Sequence, residues 1–171
     1  MSDIFILKYL QKTIDSETGA EEWRVFKGKQ SEGIDLAQSD FGNSDLHNYD
    51  FSGANLSTAK FYNANLAGAD FTKANLSYAN LNRADLSGSC LNGADLSGGN
   101  LESINAVKTD FTGARMSGCK LRGAHLAGAI FTGANLENAD LTGANLKYAN
   151  LLGANLKGTV VEEAILIQCK M

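Results

Sequence analysis

"FTGANLENADLTGANLKYANLLGANLKG", residues 131–158, returns an apolar side chain at Phe131, Leu136, Leu141, Leu146, Leu151 and Leu156. Neither regular element has this five-residue period. A helix advances about 100° per residue, so five residues overshoot one turn by about 140° and spread the leucines around every side. A strand alternates faces with period two, which suits Ala in, Asp or Asn out and Leu in, but the next two positions break the alternation. Those two read as a corner.

Working outward from this stretch, the register is unbroken from Leu36 to Met171 and gives 28 positions spaced five apart, every one apolar. Eighteen are Leu and six are Phe (Phe41, Phe51, Phe61, Phe71, Phe111, Phe131); Ala106, Met116, Val161 and Met171 complete the row. Two residues before each lies a mostly small residue, Ala in 17 of the 28 cases, and Asp or Asn usually stands between the two. The second corner position holds 13 of the 18 glycines, where tight or left-handed backbone is needed. Three extended residues and a two-residue corner, repeated, wind the chain about a narrow axis, and stacked turns satisfy one another's backbone N–H and C=O groups. The expectation is an all-β solenoid.

The tandem A-(D/N)-L-x-x units of "GANLENADLTGANLKYANL" resemble the pentapeptide-repeat family. That resemblance implies a right-handed quadrilateral β-helix with four pentapeptides to a coil, hence about seven coils over residues 34–171. At the strand spacing the rod would be roughly 34 Å long. Gly99, Ile104, Thr109 and Cys119 depart from the inward Ala, and Ser39, Ser44 and Tyr49 mark a degenerate first coil.

With four units to a coil, residues twenty apart stack. Phe51, Phe71, Phe111 and Phe131 then share one column, and Phe41 and Phe61 share the opposite one. These six are the expected aromatic core. Ala106 follows Ile104 at an inward place where Ala is usual, so volume lost at one position is replaced two residues away, which reads as local repacking.

Residues 1–33 differ in composition and hold the only Trp, Trp23. "SDIFILKYLQKTIDS" predicts a short helix with Ser2 or Asp3 as its cap and Ile4, Leu7, Leu10 and Ile14 on its buried side. "EEWRVF" predicts an edge strand leading into the first coil. Together they are expected to cap the open end of the solenoid.

No catalytic constellation is expected, and the chain reads as non-enzymatic. His47 and His125 fall at outward places nearly four coils apart. Cys119 and His125 lack the further ligands of a zinc site. The aspartates alternate with Asn at the same repeat position, as turn-forming side chains rather than acid or base groups. "SGSCLNGADLSGG" is no phosphate loop, since no GK[ST] follows. No metal or cofactor is expected.

The net charge of −4 gives no basic footprint, so neither direct nucleic-acid binding nor a membrane surface is expected. Three widely spaced cysteines fit a reducing compartment. The opening apolar run, Ile4 to Leu7, falls short of a signal peptide, and the chain reads as cytoplasmic. Function then rests on display to an unidentified protein partner, as a scaffold or regulatory module. Lys60, Arg83, Lys120 and Arg122, with Glu102, form a candidate partner surface more basic than the whole. The resemblance also implies an alternative, since some family members mimic duplex DNA and bind DNA gyrase or other type II topoisomerases. Against it, residues 36–171 hold 12 acidic and 10 basic side chains, a net of only −2. Toward the end, "TVVEEAILIQCKM" moves apolar residues to outward places, and the final coil is expected to face water. A homodimer through Val160, Ile165, Leu166, Ile167 and Met171 is the expected cover, the alternative being that these side chains fold back over their own coil end as a plug.

Overall fold

Most five-residue units dispose of their five backbone N–H groups in the same way, and Asn75 to Ala79 show it. Asn75 donates to the Ala54 carbonyl in the preceding coil (2.9 Å), while Leu76 and Tyr78 donate to Asp95 and Ser97 in the following one (2.6 and 2.9 Å). Ala79 closes the corner onto the Leu76 carbonyl (3.0 Å). The fifth N–H, on Ser77, has no backbone partner and donates to the side-chain oxygen of Asn75 (3.1 Å). Asp and Asn recur between Ala and Leu for this reason, since their short side chains reach the one orphan donor of the unit.

In the computed structural model, which describes residues 34–171 and the strands β1 (Leu10–Ile14) and β2 (Glu21–Val25), every outward residue bridges in parallel to the residue twenty further on, from Asp35↔Asn55 to Asn150↔Lys170. Four units thus complete one coil of a β-solenoid. Its sides take their names here from the first buried residue of each column: the Leu36, Phe41, Leu46 and Phe51 sides, in chain order. Each corner has the carbonyl-to-N–H closure of Leu76 and Ala79, with its third residue at a φ between 54° and 69°, the mark of a type II turn. Asn43, Asn63 and Asn138 tolerate that backbone. Tyr78, Arg83, Lys108 and Tyr148 also adopt it, at a cost of roughly 1–2 kcal/mol each that only the cooperative stack can impose. Under the Tyr78 ring lies Gly98 of the next coil, where a Cβ would sit 2.6 Å from the ring, so any side chain there would have to displace it.

The six phenylalanines are buried. Phe51 stacks on Phe71 and Phe111 on Phe131, each with centroids 5.0 Å apart, and Phe41 stacks on Phe61 at 4.8 Å. The columns also meet across the narrow core: Phe51–Phe61 and Phe61–Phe71 are edge-to-face at 6.0 Å, so Phe41 through Phe71 form one interlocked zigzag. Polar residues in the inward row find a backbone carbonyl, in the coil before for Thr109 and Cys119 and at its own corner for Ser89. Thr109 and Ser89 both donate to Leu86 O (2.6 and 2.7 Å), and Cys119 donates to Leu96 O (2.9 Å).

Outside, the Asp and Asn side chains form ladders between coils. Asn65 donates to Asp45 (2.8 Å), Asn105 to Asp85 (3.0 Å) and Asn75 to Asn55 (3.2 Å). Asp85 also accepts the Ser87 N–H at 2.9 Å. Asp85→Ala is expected to cost about 1–2 kcal/mol in urea unfolding, because it orphans both donors at once. Asp85→Asn, which keeps an acceptor for Ser87, should recover most of the loss.

The N-terminal expectation needs correction in part. Leu10–Ile14 is a strand and not the end of a helix: β1 pairs antiparallel with β2, from Leu10↔Val25 to Ile14↔Glu21. Thr13 and Ile14 are β-branched and favour strand over helix, and a five-residue partner is close in sequence. The strand expected in "EEWRVF" is β2. The remainder of the expected helix, and the join to the first coil, lie outside the described residues.

Candidate functional site

The repeat decides where the charged candidates go. Lys60 and Lys120 occupy outward places on the Phe41 side and belong to one ladder, Lys60↔Asn80↔Asn100↔Lys120. Glu102 and Arg122 take the first corner place after that side, and Arg83 takes the second. All five therefore share one flank of the rod. Their charges are not equally free. Lys60 lies 3.4 Å from Asp40 and Arg122 lies 3.3 Å from Asp140, whereas among the described residues no ion pair engages Arg83 or Lys120. The accessible positive charge of the flank is carried by those two, with Tyr78 exposed at the neighbouring corner.

Two carboxyls are held below the ordinary 3.8. The hydroxyl and N–H of Thr142, and then Arg122, favour ionised Asp140. Hydrogen bonding by His47 at 2.9 Å does the same for Asp45. A depressed folded value contributes stability that is full above the unfolded carboxylate range and is lost as pH falls through the folded value. The thermal midpoint is therefore expected to drop on acidification below about pH 4, and a titration by circular dichroism should show a smaller drop for Asp140→Asn.

The remaining chemistry-bearing residues stay apart. His125 stands between Asn105 and Asn145 on the Leu46 side, several coils from His47 at the corner after that side. Among the described residues, no three His, Cys, Asp or Glu are grouped to hold a metal ion. Burial pushes the Cys119 thiol up to about 12, which leaves it a packed hydrogen-bond donor and not a nucleophile. Cys169 is also raised by burial, and Cys90 is a free thiol within 3.3 Å of the Thr72 hydroxyl.

At the other end of the rod Val160, Ile165, Leu166, Ile167 and Met171 are all exposed. The structure divides them. Leu166 and Met171 continue the inward columns, so their exposure is that of the last coil's core, whereas Val160, Ile165 and Ile167 point sideways from outward and corner places. Ile130, Tyr148 and Leu152, which the sequence reading did not single out, are exposed as well. Writing the sequence in rows of twenty would have found them.

Among solved structures, the chain is 41% identical to the pentapeptide repeat protein Rfr23 from the cyanobacterium Cyanothece 51142 over 56% of its own length and 63% of that chain, with a TM-score of 0.28. It is 26% identical to HetL from Nostoc sp. strain PCC 7120, a pentapeptide repeat protein involved in heterocyst differentiation regulation, covering 80% of this chain and 86% of that one (TM-score 0.25). With QnrB1, a plasmid-mediated fluoroquinolone resistance protein, identity is 22% over 80% and 86% of the two chains (TM-score 0.30). At these TM-scores none of the three speaks for a shared partner. No curated protein matches the sequence. Pentapeptide repeats match in eight copies between residues 32 and 171. With that match over four fifths of its length, and the twenty-residue closure of its coils, the chain belongs to the pentapeptide-repeat family.

Proposed function

We propose that this chain is a non-enzymatic binding or scaffold protein of the cytoplasm: a right-handed quadrilateral β-helix of about seven coils, capped by residues 1–33, that presents a flat flank to a protein partner. The observation that carries this reading is the gathering of Lys60, Arg83, Glu102, Lys120 and Arg122 on one side of a rigid ladder, with Arg83 and Lys120 unpaired among the described residues. Rigid placement lowers the ordering cost of association, and charge complementarity selects the partner and speeds encounter. The three free thiols support a reducing compartment.

Affinity capture from the native cell tests the flank. A partner retained by the native chain is expected to be lost from Arg83→Glu with Lys120→Glu; an identical captured set from both would overturn the assignment. The DNA-mimic alternative predicts inhibition of supercoiling by purified gyrase. The near balance of charge along the repeats speaks against it, and no inhibition is the expected result. We also propose a homodimer through the C-terminal coil, supported by the exposure of Val160, Ile165, Leu166, Ile167 and Met171. Sedimentation equilibrium distinguishes the 18.2 kDa monomer from twice that mass.

A further inference from the structure

The Phe51 side changes character along its length. Its outward ladder begins with Asp50, Asp70, Cys90 and Asp110 and continues with Ile130, Asn150 and Lys170. Around Asn150 three exposed apolar side chains stand clear of the surface: Ile130 one coil before it on the ladder, and Tyr148 and Leu152 at the two corners that bound this side. Ile167 lies at the corner one coil further on and is 54% exposed. Between them are hollows. Gly133, at the same corner as Leu152 but one coil earlier, has no atom within 4 Å of where a Cβ would be. Gly128, one coil before Tyr148, meets only the stem of Lys108, at 3.6 Å. Asp110 is fixed in place by the N–H of Thr112 (2.9 Å) and its hydroxyl (2.6 Å), and by both oxygens accepting from the Asn92 amide (2.8 and 3.0 Å). Among the described residues neither Asp110 nor Lys170 has an ion-pair partner.

We propose that this side is a self-complementary surface that receives the same side of a second copy, antiparallel, about a two-fold axis crossing the ladder midway between Ile130 and Asn150. The proposal rests on the homodimer reading and names its contact as a flank of the rod, not the end of the last coil. An axis at that height relates each residue to the one equally far on the other side of the midpoint, and preserves which corner it occupies. Asp110 then meets the partner's Lys170, and Lys170 meets the partner's Asp110. Tyr148 stands over the partner's Gly128, and Leu152 over the partner's corner of Thr132 and Gly133. Ile167 meets the partner's Val107, and Ile130 lies against the partner's Asn150. Tyr148 and Leu152 are offered corners that carry glycine and Ile167 another apolar group, while Asp110, the acid of the ladder nearest the axis, meets the ladder's one cation. This is what an isologous contact requires: a patch complementary to itself under rotation, with the charges fixing its register.

Sedimentation equilibrium of the whole chain from about 10 to 200 µM tests this, with far-UV circular dichroism to show that each variant is folded. A dimer is expected for the native chain. Asp110→Lys alone and Lys170→Asp alone should each weaken it about tenfold or more, because the two-fold axis makes every single change strike two contacts. The exchange variant, Asp110→Lys with Lys170→Asp, should dimerise as the native chain does. Leu152→Lys, facing a hollow, should also dissociate it. A dimer indifferent to all four variants but broken by Leu166→Asp would place the contact at the coil end, overturning this assignment while leaving the homodimer reading intact. A native chain monomeric throughout the range would overturn both.

Discussion

Replacing Phe71 by alanine is expected to lower stability by about 3–5 kcal/mol, the largest effect of any single truncation considered. The ring is fully buried, stacks on Phe51 at 5.0 Å and meets Phe61 edge-on at 6.0 Å. Removing it takes away the apolar transfer energy and the ring contacts, and opens a void that the coil cannot close. Backbone hydrogen bonds to Cys90 and from Asp95 in the following coil, and the closure of Ala74 onto the Phe71 carbonyl, hold Phe71 and Ala74 in place. Urea unfolding should show a lower midpoint. A midpoint unchanged within error would mean that the zigzag of rings does not hold the first coils together.

The second large effect is expected at Ile104, and it is reversible by design. Ile104 sits where the inward row usually carries Ala, next to Ala106, the only alanine among the central positions, and both are fully buried. Ile104→Ala should cost about 2–4 kcal/mol, since two small residues then face one cavity. Ala106→Leu alone should cost about 1–3 kcal/mol by overfilling the coil. Combined, the two changes restore the arrangement of the neighbouring coils, and the double variant should unfold near the native midpoint. Strict additivity of the two losses would show that the side chains do not share one space.

These expectations follow from a period, and the period explains what the sequence makes legible. A five-residue repeat admits few backbones, and once four units close a coil every buried column is fixed. The stacking of Phe51 on Phe71 is therefore readable before any coordinates, as is the turn-forming role of Asp and Asn. The patch on the Phe51 side is harder to see. Ile130 is at an outward place while Tyr148 and Leu152 are at second and first corner places, so they share no repeat position and meet only through the twenty-residue closure. Pairings are also invisible: nothing in a composition count separates Arg122, held by Asp140, from Lys120, which is not. The strand Leu10–Ile14 lies outside the repeat, where local propensity is the only guide and the apolar spacing from Ile4 to Ile14 favours the wrong period.

The orphan N–H of each unit carries a kinetic consequence. In most units it is held by the Asp or Asn two residues earlier, but the outward places 115, 120, 125 and 130 hold Arg, Lys, His and Ile. For one full circuit, a single unit on each side, the oxygen that would accept it is missing. The amides of Ser117, Arg122, Ala127 and Thr132 should therefore trade hydrogen for deuterium far faster than their counterparts at Ser77, Ser87 and Thr142, which are held at 3.1, 2.9 and 3.0 Å. Amide-resolved spectra in heavy water should show these four as a run of early losses spaced five residues apart, a labile hoop around the middle of the rod, beside isolated early losses at Tyr62 and Asn92, which follow Lys60 and Cys90, and at Glu162 and Ile167 in the last coil.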